Sequence, residues 1–278
     1  MAIPSPNATT VSYTHLAMER NPWMMLTFSG ICCGYDRVPV LRDISFSAEP
    51  GLLTGLVGTN GCGKTTLLKT AAGLLAPCGG EILLDGQPVS ALTRREFARQ
   101  VSYLPQNRPV PEISVELLAE HGRFPHLGFS RTLTAADRAA VERALLLSGT
   151  EGLRPRNVAH LSGGERQRAY LAMLLAQDTD VLLLDEPTAF LDISQQFSLL
   201  ELLQKLALQG KTIVVVLHEL ALAMKFCSRL AVLESGRLAG FGTPEELWRQ
   251  RIIDRAFGVV SRRVENDGDV DFLFLPKK

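Results

Sequence analysis

The chain has 278 residues, 46% of them hydrophobic, and its 29 Lys+Arg and 29 Asp+Glu give a formal net charge of +0. That length suits one large domain or a core domain with a subdomain, and the neutral balance argues against nucleic-acid binding, which normally brings a basic excess. No uncharged apolar run approaches the roughly 18 residues of a membrane span, and the five cysteines (Cys32, Cys33, Cys62, Cys78, Cys227) form no C-x-x-C pair and leave one over, which reads as reduced thiols.

Residues 1–25 lack an apolar stretch after a basic start and read as an irregular leader, with Met24 and Met25 directly before the first strand-like run. Strand signals follow in "LTFSGICC", "VLRDISFSAEPG" and "LLTGLVG". "GKTTLLKTAAGLL" predicts a helix, "GGEILLDGQPV" a glycine-flanked hairpin strand, and "TRREFARQ" a helix capped by the Thr93–Glu96 pair. From about 112 to 178 the pattern is helical, with "TAADRAAVERALLLSG" capped by Thr134 and ended near Gly149. Apolar strands then alternate with amphipathic helices through "DVLLLDEP", "SQQFSLLELLQKLALQG", "KTIVVVLH", "ELALAMKFC" and "RLAVLESGRLAGFG". Uninterrupted Val/Ile/Leu strands between helices predict a parallel sheet covered on both faces. "TPEELWRQ" opens a last capped helix, and "VDFLFLP" is strand-like. The expected organisation is an α/β domain over 26–262, a helical block at about 107–178 inserted in it, and a tail at 263–278.

Three stretches carry chemistry. "GLVGTNGCGKTT" places G-x-x-x-x-G-K-T at Gly58 to Thr65, after a strand and before a helix, which is the context a phosphate-binding loop requires. Backbone N–H groups of such a loop wrap phosphates, Lys64 reaches the β- and γ-phosphates, and the Thr65 hydroxyl ligates Mg²⁺. Cys62, inside the loop, reads as a small packed residue. "DVLLLDEP" ends a buried strand in Asp185, suited to holding Mg²⁺, with Glu186 placed to polarise an attacking water. "TIVVVLHEL" ends another in His218, at the sheet edge where ligands sit and within imidazole reach of a γ-phosphate. "LSGGERQR", residues 161–168, raises a different question. Each glycine in a helix interior costs about 1 kcal/mol, yet Gly163 and Gly164 follow Ser162 in what reads as a capping box with Glu165. A helix start stripped of side chains suits a closely approaching anion.

The set resembles the ATP-binding subunit of ABC transporters from about Leu26 on: the phosphate loop, Gln106 in "YLPQ", "LSGGERQR", Asp185–Glu186, "LD" at Leu191–Asp192 and His218, in that order. The resemblance implies a P-loop NTPase core with a parallel sheet, an N-terminal antiparallel β subdomain and an inserted helical subdomain. It implies ATP and Mg²⁺ as ligands, with adenine stacked on Tyr35 and the phosphates held by Gly58, Thr59, Asn60, Gly61, Cys62, Gly63, Lys64, Thr65 and Thr66. Glu186, His218 and Gln106 become the hydrolytic set, and Thr65, Gln106 and Asp185 the metal set. Two copies pair head to tail in this family, so Ser162, Gly163, Gly164 and Glu165 address the ATP held by the partner, with Asp192 at the interface. Thr59, Cys62, Thr65 and Glu219 depart from the commonest residues without losing a required group.

The implied partners are a second copy of the chain and two transmembrane permease subunits, with a substrate-binding protein indirectly and no nucleic acid. The implied location is peripheral, on the cytoplasmic face of the inner membrane. The insert "PEISVELLAEHGRFPHLGFSRTLTAADRAAVERAL" resembles the branch importing iron–siderophore complexes, haem and cobalamin, with iron–siderophore first. "GRFPHLG" is expected to dock a permease helix, while His121 and His126, without a third ligand, read as structural. A soluble ABC ATPase acting on ribosomes or DNA fits less well, because the chain has one phosphate loop and only about 55 residues between Gln106 and "LSGGERQR". An exporter fits less well again, since its membrane domain is commonly fused.

Overall fold

The computed structural model describes residues 23–35, 38–128, 132–266 and 269–277. An antiparallel sheet is built first, from β1 (Leu26–Tyr35) and β2 (Val38–Ala48). The chain then enters the central sheet as β3 (Leu53–Gly58), turns into helix α1 (Lys64–Ala71), and returns to the first sheet as β4 (Gly79–Leu84) and β5 (Gln87–Pro88). The order is β2-β1-β4-β5. Leu26, Phe28 and Ile31 of β1 and Leu41, Ile44 and Phe46 of β2 turn one face inward, and the Phe28 and Phe46 rings stack at 4.4 Å. That face packs on Leu67, Leu68 and Ala71 of α1.

After α2 (Arg94–Gln100), the central sheet continues with β6 (Val101–Leu104). The inserted block contributes α3 (Val115–His121), α4 (Ala135–Leu147) and α5 (Gly163–Ala176) before the sheet resumes as β7 (Val181–Asp185). Helix α6 (Ile193–Leu208), β8 (Thr212–Val216), α7 (Leu220–Phe226), β9 (Arg229–Glu234) and β10 (Arg237–Gly242) follow. The order is β10-β9-β3-β8-β7-β6, parallel throughout except for β10 at the edge. Every residue of β3, β7 and β8 is buried, as a sheet covered on both faces demands. Their period of two sorts them between layers. Val181, Leu183, Val214 and Val216 join the core under the antiparallel sheet, while Leu182, Leu184, Ile213 and Val215 face α5 and α6.

The Thr93–Glu96 and Thr134–Asp137 capping boxes open α2 and α4. "GRFPH" is mostly turned inward rather than outward. A Cβ at Gly122 would sit 2.2 Å from the Met173 carbonyl oxygen, so the turn after α3 closes directly on α5. Arg123 pairs with Asp137 at 2.9 Å and donates to the Ala176 carbonyl at 2.8 Å. The Pro125 carbonyl accepts from Arg95 and Arg99 at 3.1 and 2.9 Å, and His126 meets the Gln177 carbonyl at 2.8 Å. Phe124 stays exposed, its ring 4.6 Å from His121.

Beyond α8 (Pro244–Arg249), the last helix expected from sequence, lies a short α9 (Ile252–Phe257). Its start gives no sequence signal: Arg251 sits at φ 57 and makes no side-chain cap. The tail pairs β11 (Val259–Asn266), which runs across residue 262, with β12 (Asp269–Pro276), and Phe272 is buried in the main core. Most of the expected leader, residues 1–22, lies outside the described residues. Met24 and Met25 are tied in through their carbonyls, which accept from Thr212 and Asp85. Among the described residues no helix is long and apolar enough to cross a membrane.

Candidate functional site

The site lies at the C-terminal edge of β3, β6, β7 and β8. The turn from β3 into α1 carries Gly61 at φ 78 and Gly63 at φ 106, backbone that L side chains rarely adopt. A Cβ at Gly61 would meet nothing within 4 Å, whereas one at Gly63 would collide with Leu41 at 2.4 Å. The loop is thus backed by β2 and bare on its outer side. Lys64 is 6% exposed, and its ammonium donates to the Gly58 and Thr59 carbonyls at 2.8 and 3.1 Å. An amine folded onto its own loop, beside open space, is poised to exchange carbonyl partners for an anion. Burial pushes the Cys62 thiol up against the pull of Lys64, which disfavours the reactive thiolate. Tyr35 stands exposed at the end of β1, across from Val38.

Asp185, at the end of β7, is fully buried. Its two oxygens lie 3.2 Å from the Thr65 hydroxyl and 3.5 Å from the Tyr103 hydroxyl. Burial raises its carboxyl above the ordinary value, and the neighbouring Glu186 adds to that against the two hydroxyls. A buried carboxylate beside the Thr65 hydroxyl at the start of α1 is the kind of hard oxygen donor set that suits Mg²⁺. Tyr103 is the tyrosine of "YLPQ", whose role the local sequence does not suggest. Its contact with Asp185 comes from β6 lying beside β7, and no local pattern encodes that neighbour.

Glu186 occupies φ 52, a left-handed conformation unusual for a residue with a side chain, and its N–H is held by the Val216 carbonyl at 3.2 Å. The bend takes its carboxylate off the strand and between two partners. Gln106 donates to one oxygen at 2.5 Å, and His218 meets the other at 2.6 Å. The three expected hydrolytic residues therefore converge, from β6, β7 and β8. Gln106 lies on Glu186 here rather than on the Asp185–Thr65 pair.

The "LSGGERQR" helix start stands apart from this edge. Ser162 and Glu165 form the expected capping box on α5, at 3.3 and 2.9 Å. The glycines have an explanation within the chain as well. A Cβ at Gly163 would lie 3.1 Å from Phe190, and one at Gly164 would lie 2.9 Å from the Gln195 amide oxygen. Phe190, at φ 66 and 83% exposed, covers Gly163 from the turn after β7. A cavity of about 370 Å³ lined by Gln106, Arg108, Gly163, Arg166, Tyr170 and Phe190 joins the two regions. Asp192 caps α6 through the Gln195 N–H at 2.8 Å, so the expected interface residue also has a structural task in its own chain.

The sequence model of the ABC transporter family matches residues 41–189, from β2 through the phosphate loop and "LSGGERQR" to the turn after Glu186. The chain belongs to the ABC transporter family. A ferric enterobactin transport ATP-binding protein from Escherichia coli is 40% identical over 228 residues, 81% of this chain and 84% of that protein. An iron(3+)-hydroxamate import ATP-binding protein from Bacillus subtilis is 37% identical over 81% of this chain and 85% of its own length. A cobalamin import ATP-binding protein from Halobacterium salinarum is 39% identical, covering 84% of this ABC transporter chain and 59% of that protein. Among solved structures, an ATP-binding subunit of an ABC transporter superposes with a TM-score of 0.74 at 25% identity, over 84% of this chain and 98% of that one.

Proposed function

We propose that this chain is the ATP-hydrolysing subunit of a membrane importer for iron(III)–siderophore complexes. One observation carries the hydrolytic reading: Glu186 bracketed by Gln106 and His218 at 2.5 and 2.6 Å, beside a phosphate loop whose Lys64 is folded over open space. In this reading the loop N–H groups and Lys64 bind the phosphates of ATP. Asp185 and Thr65 would hold Mg²⁺, which would supply charge neutralisation for the transferred phosphoryl group, and Tyr35 stacks on adenine. Glu186 accepts a proton from the attacking water, and His218 steadies the γ-phosphate end. Ser162 and the bare start of α5 face the nucleotide of a second, head-to-tail copy. A permease pair holds the chain at the cytoplasmic face of the membrane, and Phe124 is the exposed anchor of the helical block.

The importer assignment leans on the relatives, since the cargo does not touch an ATP-binding subunit. A cobalamin importer is the second reading, favoured by the 39% identity to the Halobacterium salinarum protein. Two experiments test these statements. Purification from membranes is expected to bring down a multi-span permease, and recovery of the chain on ribosomes or DNA instead would overturn the transport reading. Reconstituted with that permease and its binding protein, the complex is expected to take up ferric siderophore with ATP; uptake of cobalamin alone would decide for the second reading.

A further inference from the structure

Helix α7 begins directly after His218 and opens unlike its neighbours. Helices α2, α4, α5 and α8 start with reciprocal capping boxes built on Thr93, Thr134, Ser162 and Thr243. At the corresponding position of α7 stands Glu219, at φ −81 and ψ 101, with no side-chain bond to the helix start. Asp, Asn, Ser and Thr make the favoured caps because their short side chains turn back onto the first N–H groups. The longer Glu219 side chain extends away instead, and Gln196 Nε2 donates to its Oε1 at 3.0 Å. Gln196 belongs to the first turn of α6, its N–H bonded to the Asp192 carbonyl at 2.8 Å, and is 9% exposed. Gln196 as a whole is thus largely buried, and a buried donor left without an acceptor is costly.

We propose that the Gln196–Glu219 hydrogen bond replaces the missing cap as the anchor of the turn carrying His218. Both are positioning residues: through the turn they hold the imidazole against Glu186, where it sits at 2.6 Å. The inference rests on the reading of Glu186 and His218 as hydrolytic residues. It also fixes a relation between two anchors. Aspartate at 219 is one methylene shorter, so it gives up the reach to Gln196 and gains the geometry of a good cap. Gln196 then matters to His218 only while residue 219 is glutamate.

The test is a double-mutant cycle in the full chain with Gln196→Leu, Glu219→Asp and the two together. Two quantities are read: ATP turnover, and the ring resonances of His218 in ¹³C-histidine-labelled protein, assigned by their loss in His218→Ala. Gln196→Leu alone is expected to lower kcat about tenfold, leave KM for ATP within about twofold, and move the His218 resonances. Glu219→Asp is expected to stay within about threefold of the parent in kcat, and adding Gln196→Leu to it is expected to change neither readout. Gln196→Met serves in the same way if the leucine variant unfolds. An equal loss in both backgrounds, or His218 resonances unmoved by loss of Gln196, overturns the anchor. A parent chain without ATPase activity would sink the proposed function, while the resonances would still decide the anchor.

Discussion

The phosphate-loop edge and the start of α5, the two places proposed to meet phosphate, differ in how many side chains of this chain converge on them. At the edge, side chains from the ends of three strands and from α1 meet in one chain: Lys64 on its loop carbonyls, Asp185 on two hydroxyls, Glu186 between Gln106 and His218. At the start of α5 the capping box is complete, but beyond it stand two glycines and an 83% exposed Phe190. Phe190 is not alone there, since Ile193 three residues on is 70% exposed. The contrast bears on the proposed function: in that reading the first region binds ATP within one chain, and the second awaits the nucleotide of another copy.

The largest expected effect falls on the complete half. Glu186→Gln keeps the hydrogen bond from His218 but cannot take a proton from water, so hydrolysis is expected to fall by about 10²- to 10⁴-fold while ATP binding survives. Near-parental turnover in the purified complex would remove Glu186 as the base. Lys64→Ala should instead weaken ATP binding, by about 10- to 100-fold, because a charge-assisted contact to phosphate is lost. A binding titration that matches the parent would undo the phosphate-loop assignment.

On the open half, Gly164→Asp sets a carboxylate where a partner's phosphate is expected, and like charges in a dry interface repel strongly. ATP affinity of the isolated chain should stay within about threefold, while hydrolysis drops at least about tenfold. Gly164→Ala is the control: the nearest atom is the rotatable Gln195 amide at 2.9 Å, so alanine should change activity little. Loss of activity equal to that of the aspartate would mean that crowding inside the chain, rather than charge against a partner, explains the glycines. Mixing Gly164→Asp with Lys64→Ala chains then sharpens the contrast, since both lesions fall on one composite site and leave the other whole. Activity no higher than in either mutant alone, together with no interchain crosslink between cysteines placed at Ser162 and Gly61, would sink the two-copy model.

The smallest effect concerns the cap itself. Ser162→Ala removes the acceptor for the Glu165 N–H and is expected to cost about 1 kcal/mol in urea unfolding. The N–H and hydroxyl of Ser162 hold the Glu165 carboxyl below its ordinary value. A depressed folded value means that this stabilisation is present above about pH 4.3 and is lost as pH falls through the folded value. Ser162→Ala keeps the backbone N–H, the larger cause, and removes only the hydroxyl, so an NMR titration of Glu165 should move up only part of the way; an unmoved titration would show that the N–H alone depresses it.

Much of this was legible in the amino-acid order because it is local. The phosphate loop, the Thr93, Thr134 and Ser162 caps and the continuous apolar strands β7 and β8 depend on residues a few positions apart. Their hydrogen bonds and periodicities are therefore written along the chain. Tertiary structure decided which separate segments touch. Only the order β8-β7-β6 brings His218, Glu186 and Gln106 onto one carboxylate, and only the β6–β7 neighbourhood gives Asp185 its Tyr103 contact. The same holds for Phe190 over Gly163, for Arg123 turned inward onto Asp137, and for Gln196 reaching Glu219. Such pairs lie 14 to 82 positions apart in the chain. No propensity or spacing rule spans that distance, and their geometry follows from how the layers pack.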